Sequence, residues 1–500
     1  MNAQALLNQA AASASAGQLK EAAAAYREVL KSNPDDPHAM FGLGELFGRI
    51  GRREDALALI ARAVDAAPDR VSYHLYYAQL LLDAGRREDA LDAADRVLRR
   101  QPDSSQAKCL KAMALGRLGR TDAAMRLIGE ALARSPRDLE AQIVQAELLH
   151  RAGLLGEALS HLKRTLEQAY SPITRRRVLY EIATIQEKLG QYDEAFAAYS
   201  ESNAARASDP AVAAIDALSY AKRMDLFARE MRAERIAAWA ARAPRNDGPV
   251  PTFLVGFPRS GTTLTEQIIG AHSNMVISDE KPLLHRTMAE IRRLAPGAPD
   301  TCASLDALST ADIGRIRTFY RRQAEGLLEF DFAAHHLLDK QPWNLIELGV
   351  INAVFPDAHV IVAHRDPRDV ILSCFKQRFL LNDANVHFLE WNETARFHAQ
   401  VMRYWNVLRP RLTLSMLDVE YEMIVTDFDA QARRIIEFIG LEWEDGVARF
   451  HEQSASRSIS TPSADAVTSP VHARAIGQWQ NYAEHFEAIS EYLPDDATAL

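Results

Sequence analysis

The residues best suited to chemistry stand in Gly256-Phe257-Pro258-Arg259-Ser260-Gly261-Thr262-Thr263, directly after the apolar run Thr252 to Val255 and before a stretch opening Leu264-Thr265-Glu266-Gln267. A glycine-bounded loop that feeds a helix start presents several unpaired backbone N–H groups to one point, and the helix dipole adds to their pull. Such a turn is an anion cradle. Its glycines have the spacing of the triphosphate loop GxxxxGK[ST], but Thr262 stands where that loop has the lysine that reaches the β and γ phosphates. An anion other than a triphosphate fits it better.

The elements that must position this loop are legible around it. After residue 250, short β-branched runs at 252–256, 337–339 and 359–364 alternate with long amphipathic segments such as 310–329. That alternation predicts a parallel sheet wrapped by helices, with ligand chemistry at the carboxyl ends of the strands.

GFPRSGTTL closely resembles the 5′-phosphosulfate loop of sulfotransferases, which transfer sulfonate from 3′-phosphoadenosine 5′-phosphosulfate (PAPS). With arginine ahead of Ser-Gly-Thr-Thr, it is most similar to the tyrosylprotein sulfotransferase branch and its bacterial relatives with appended tetratricopeptide repeats. The resemblance spans about residues 250–485 and implies a role for each matching position. Arg259, Ser260, Gly261, Thr262 and Thr263 would hold the sulfonate and 5′-phosphate. HVIVAHRDPRDVILSCF is similar to the 3′-phosphate signature, which implies Arg365 and Ser373 as its ligands; a guanidinium fork and a hydroxyl suit a phosphate dianion. SDEKPLL places Glu280 where that branch carries its catalytic base, with Asp279 as a neighbouring rival. LLDKQPWN places Lys340 where the family has the lysine that stabilises the departing phosphate, although Gln341 replaces the usual aspartate. Tyr421 and Ser463 match the adenosine-side tyrosine and the closing loop. Gln478 and Gln377 stand where relatives carry basic residues, and Arg474 and Arg378 are the candidates to compensate.

Ahead of that region the chain repeats itself. Pro34, Pro68, Pro102 and Pro136 are spaced 34 residues apart, as are Gly17, Gly51, Gly85, Gly119 and Gly153. Alanine follows each glycine by five (Ala22, Ala56, Ala90, Ala124, Ala158), and a small residue precedes it by seven (Ala10, Gly44, Ala78, Ala112, Ala146); a sixth copy follows out of step with Ala183, Gly190 and Ala195. Glycine permits the turn of a helical hairpin, small residues let its helices approach, and proline ends the second helix. The spacing resembles the tetratricopeptide repeat over about residues 3–206, which implies a helical solenoid whose concave face takes a peptide or protein partner. Residues 210–243 read as its capping helix, and PRNDGPVP as the boundary. The expected architecture is therefore multidomain: an all-α tetratricopeptide solenoid at 1–243, then an α/β, P-loop-like parallel-sheet sulfotransferase domain at 244–500.

Composition bounds the rest. Apolar residues make up 48% and charged residues 25% of 500, as in folded protein, so disorder is excluded as the main theme. Residues 1–250 carry 35 Lys and Arg against 33 Asp and Glu, a net +2; the other half carries 23 against 34, a net −11. Neither half reads as a nucleic-acid binder, and an anion bound by the second half needs a local, pre-arranged pocket. Three dispersed cysteines, no signal-like start and no long apolar run predict a cytoplasmic protein without a membrane segment. His272, His285 and His364 show no metal-ligand spacing, so no metal is expected. The leading expectation is a PAPS-dependent sulfotransferase acting on an acceptor hydroxyl, peptide tyrosine among the options, with the repeats orienting the acceptor or a protein partner; self-association as a homodimer is left open. The alternatives are a P-loop kinase or NTPase and a non-catalytic adaptor with a decayed second domain.

Overall fold

The computed structural model describes residues 2–50, 52–245, 247–454 and 471–494. The chain divides into two compact units, Met1–Ile215 and Asp216–Leu500.

In the first unit, helices from Ala3–Ser15 to Tyr192–Ala207 run as consecutive hairpins, and the second helix of each packs on the first helix of the next. The periodic residues sit where their chemistry requires. Gly17, Gly85, Gly119, Gly153 and Gly190 all have φ between 74° and 80°, the left-handed turn that closes each hairpin. The periodic alanines are fully buried, and a Cβ at Gly44 would lie 2.8 Å from Ile60 Cδ1. Side chains of Asp36, Ser104 and Asp138 cap the helices that follow them by accepting from the amide three residues on.

The second unit is built on a five-stranded, wholly parallel sheet in the order β2-β3-β1-β4-β5. Its strands are β1 Thr252–Gly256, β2 Met275–Ile277, β3 His336–Lys340, β4 His359–His364 and β5 Ser415–Glu420. Alternate residues feed opposite cores. Phe253, Val255, Leu337, Val360 and Val362 face one apolar cluster, while Leu254, Leu338, Ile361, Leu417 and Val419 face the other. A parallel sheet covered on both faces needs such near-continuous apolar strands. The three runs read from the sequence are β1, β3 and β4; β2 and β5 complete the sheet.

The division between units falls ahead of the 243/244 boundary read from the sequence. Helices Ser219–Glu230 and Ala233–Ala240 do not end the solenoid's core. Met224, Phe227, Met231, Ile236 and Trp239 are buried in the same cluster as Phe253 and Phe355 of the second unit. A Cβ at Gly349 would fall 2.2 Å from Met231 Sδ, so a side chain there would require Met231 to move. The proline-rich segment after these helices is also held inside the unit, since Asp247 pairs with the fully buried Arg317 at 2.9 Å. The sequence reads residues 210–243 as a capping helix of the solenoid, and the deciding fact is which core received their apolar side chains.

All six tryptophans lie beyond residue 216, so tryptophan fluorescence reports only this unit. Trp239→Ala should destabilise it by about 3–5 kcal/mol, the cost of emptying a large aromatic site, read as an earlier fluorescence unfolding midpoint in urea. An unchanged midpoint would return the helix to the solenoid.

Candidate functional site

The carboxyl ends of all five strands contribute to or adjoin one cavity of about 410 Å³. Beyond β1, the turn contributes Arg259, Gly261, Thr262 and Thr263; beyond β2 come Glu280 and Pro282; beyond β3, Gln341 and Trp343; beyond β4, Arg365; beyond β5, Tyr421. This is where open parallel sheets bind ligands, because helix starts and strand ends both face that edge.

The first turn is forced into its shape. Gly256 lies so close to its neighbours that a Cβ would meet Ala363 O at 2.7 Å, and at Gly261, with φ 98°, it would meet Tyr421 Cδ2 at 2.8 Å. Arg259 itself has φ 72°. Gly261 stands at the N-cap of the helix Thr262–Gly270, all of whose residues are buried, and Thr262, Thr263 and Leu264 of its first turn line the cavity wall. Asp279 (φ 44°) and Glu280 (φ 61°) are also left-handed. Such conformations cost about 1–3 kcal/mol each in a non-glycine residue and persist where the surroundings over-determine them. Three of the four positive-φ residues other than glycine among the described residues therefore belong to this site.

Arg259 Nε donates to Ser373 Oγ at 2.9 Å, joining two positions predicted from separate motifs. Arg365 stacks over the Tyr421 ring with its Cζ 4.7 Å from the centroid. Its Nη1 donates to Arg259 O at 3.3 Å and its Nη2 to Ala475 O, while its buried Nε has no hydrogen-bond partner. Asp369, one helical turn beyond Arg365, accepts from the amides of Gly477 (2.7 Å) and Trp479 (2.9 Å) and so ties residues 471–494 to the site. Arg368 lies over the Trp479 ring at 3.7 Å.

Lys340 is fully buried behind the cavity wall. Its Nζ donates to Glu280 Oε1 at 2.6 Å and lies 3.3 Å from Glu266 Oε2. Burial by itself would lower the ammonium's pKa; the carboxylates of Glu266 and Glu280 outweigh it and hold the group above its ordinary value. Glu266 moves the other way from most carboxylates. Burial drives it up to about 7 against the pull of Lys340, with Asp279 and Glu280 adding like charge. Behind Lys340, Asp339 is also fully buried. It accepts from Tyr320 Oη at 2.7 Å, yet burial raises its pKa to about 6 despite the hydrogen bonds from Tyr320 and Ser278.

Of the predicted positions, Arg259, Gly261, Thr262, Thr263, Glu280, Arg365 and Tyr421 line the cavity. Ser260 is buried beneath the loop, Ser373 reaches the site through Arg259, and Lys340 reaches it through Glu280. Glu280 rather than Asp279 faces the cavity, and neither caps the following helix Leu283–Leu294, whose start has no side-chain cap. Ser463 lies outside the described residues. Arg474 and Arg378 are exposed and are not among the described residues that line the cavity.

Sequence reasoning passed over several neighbours. Glu266 carried a weak signal as one carboxylate in an otherwise buried helix. Tyr220 and Arg223 line the cavity from a helix that the sequence assigned to the solenoid, and Arg223 pairs with Glu347 at 2.6 Å. His285 lines the cavity, whereas His272 binds Glu442 O and His364 binds Asp418. Among the described residues, no group of three or more His, Cys, Asp and Glu side chains is placed to hold a metal ion. No helix among them is long and apolar enough to cross a membrane.

Comparison with known proteins defines the class. Residues 251–445 match the model described as the Sulfotransferase family. Residues 13–75 and 177–208 match models of the tetratricopeptide repeat, and 75–152 the N-terminal tetratricopeptide region of Psidin. The chain thus carries a sulfotransferase family domain behind an all-helical array of tetratricopeptide repeats. Protein-tyrosine sulfotransferase A of Caenorhabditis elegans is 27% identical over 238 residues, 45% of this chain and 60% of its own length. An uncharacterized protein of Aquifex aeolicus is 26% identical over 250 residues, 49% of this chain and 32% of its own. The chain is distantly similar to the protein-tyrosine sulfotransferases, and the matches span a third to three fifths of these two relatives. A tetratricopeptide repeat protein from Parabacteroides merdae superposes with a TM-score of 0.39 at 16% identity, over 42% of this chain and 82% of its own.

The buried carboxylates give this site a pH signature. Folded Asp339 keeps a proton that the unfolded chain has shed between pH about 4 and about 6, so its contribution to stability falls as pH rises through that window. Asp339→Asn removes this term. Relative to wild type, the variant should gain roughly 3 kcal/mol between pH 4 and pH 6 and nothing further above it, read as the difference between the two melting temperatures; contributions from other titrating groups are common to both proteins. A difference independent of pH would show that Asp339 is ionised throughout.

Proposed function

We propose that this chain is a PAPS-dependent sulfotransferase that moves a sulfonate group to an acceptor hydroxyl. The observation that carries the reading is the convergence of the helix start at Gly261 with Arg259 and Arg365 on one cavity, beside a lysine-carboxylate cluster. Its donors suit the nucleotide. The buried, unpartnered Nε of Arg365 and the hydroxyl of Ser373 suit a 3′-phosphate; the amides of the Thr262–Gly270 helix and Arg259 suit the sulfated 5′ end. Tyr421, held between Gly261 and Arg365, offers a ring for the adenosine side.

Sulfonyl transfer needs in-line placement and charge stabilisation rather than a covalent enzyme intermediate. The acceptor oxygen forms a bond to sulfur as the bond from sulfur to the 5′-phosphate oxygen breaks, and the electron pair leaves with the phosphate. Glu280 takes the acceptor's proton. Arg259 and the loop amides hold the charge that develops on the transferring group, and Lys340, released from Glu280 as that carboxylate is protonated, neutralises the leaving oxygen. No metal is part of this scheme.

The likeness to protein-tyrosine sulfotransferases makes peptide tyrosine one acceptor to test, and the repeats supply a surface for a protein or peptide partner. Buried, free Cys109, Cys302 and Cys374 accord with the reducing cytoplasm as its location.

Arg259→Ala should lower the rate of transfer from sulfur-labelled PAPS by about 10² or more, the scale for losing one dedicated charge-stabilising donor. Near-normal turnover in that variant would defeat the assignment.

A further inference from the structure

Glu266 and Lys340 form an ion pair with neither side chain exposed to solvent. The carboxylate lies on the helix whose start forms the anion cradle, one turn and a half inside it, and neither of its oxygens has a hydrogen-bond partner. Lys340 therefore touches two carboxylates of different character: Glu280, more than a third exposed on the cavity wall, and Glu266, sealed in the core.

In the proposed reaction Glu280 begins ionised and ends carrying the acceptor's proton. An ammonium buried this deeply cannot go without a counter-ion at either stage, because an unpaired buried charge is strongly destabilising. Glu280 serves only in the first, and the leaving oxygen takes its place only once charge has developed on it. The groups facing Glu266 are Lys340 from β3 and Asp279 and Glu280 from the turn after β2. Neutralising Glu280 removes like charge from beside Glu266, which favours its ionised form just when Lys340 needs it.

We infer that Glu266 is a positioning residue, the standing counter-ion that keeps Lys340 charged and aimed at the leaving oxygen while Glu280 is protonated. The inference rests on the sulfotransferase reading above. The transfer balances as already written, with the acceptor's proton on Glu280, the electron pair on the departing phosphate, and Lys340 protonated throughout.

The test compares the full-length wild type with Glu266→Gln and Glu266→Asp. Turnover is followed with sulfur-labelled PAPS, using water and para-nitrophenol as probe acceptors, beside calorimetric binding of 3′-phosphoadenosine 5′-phosphate and a melting curve. Glu266→Gln should lose about 10- to 100-fold in kcat, the scale on which partners that orient a working group matter, with KM for PAPS and nucleotide affinity unchanged. Glu266→Asp, which keeps the charge, should recover part of the loss. Unaltered kcat in Glu266→Gln overturns the inference. So does a parallel loss of kcat, affinity and melting temperature that Asp fails to rescue, which would mark a structural role. If Glu266→Gln does not fold, Glu266→Asp carries the comparison, and a fall in its affinity rather than its kcat overturns the idea. A wild type that neither binds the nucleotide nor turns over PAPS sinks the sulfotransferase reading itself, and this inference with it.

Discussion

The turn between Gly256 and Gly261 closes only because both ends lack a side chain: one end is pressed against the Ala363 carbonyl of β4, the other against the Tyr421 ring. Everything proposed for the site depends on that closure. It fixes Arg259 in a left-handed conformation, delivers the start of the Thr262–Gly270 helix to the cavity wall, and brings the Arg259 guanidinium to Ser373 beyond the neighbouring strand. The second half of the chain has a net charge of −11, so its overall field repels an anion. A compact cradle meets that constraint because directed amides and two guanidinium groups act over a few ångströms, where a long-range field counts for little.

Around the cradle, charge is arranged in pairs rather than left loose. Lys340 is balanced by Glu266 and Glu280, Arg223 by Glu347, and Arg365 lies 3.6 Å from Asp369. Asp369 has two functions at once, since its oxygens also hold the amides of Gly477 and Trp479 and so draw the C-terminal segment toward the arginine that would face the 3′-phosphate. The proposed nucleotide site and the position of that segment are thereby linked through one carboxylate.

Much of this was legible in the sequence. The 34-residue glycine period carried a direct conformational demand, φ near +75°, and the described glycines meet it. The glycine-bounded loop and its helix were legible because glycine spacing and a following helix are local features. Arg365 and Lys340 were legible as strand-end cations, each at the end of an apolar run long enough to recognise. What was not legible depended on distant parts of the chain. β2 has three residues, too few to show a period, and becomes a strand only through pairing with β3. Residues 210–243 read as one capping helix, and nothing in that stretch says that Ser219–Glu230 and Ala233–Ala240 would enter the other core. Glu266 gains its character from Lys340, 74 residues later, and no pattern within its own helix specifies that partner.

The account stands or falls on which nucleotide the cradle selects. Calorimetric titration of the full-length protein with 3′-phosphoadenosine 5′-phosphate, and separately with ATP and magnesium, measures this most directly. Saturable heat with the bisphosphate and little or none with the triphosphate is the predicted outcome. Tight binding of magnesium-ATP with no response to the bisphosphate would contradict the account and turn the site into that of a phosphoryl-transfer enzyme or NTPase.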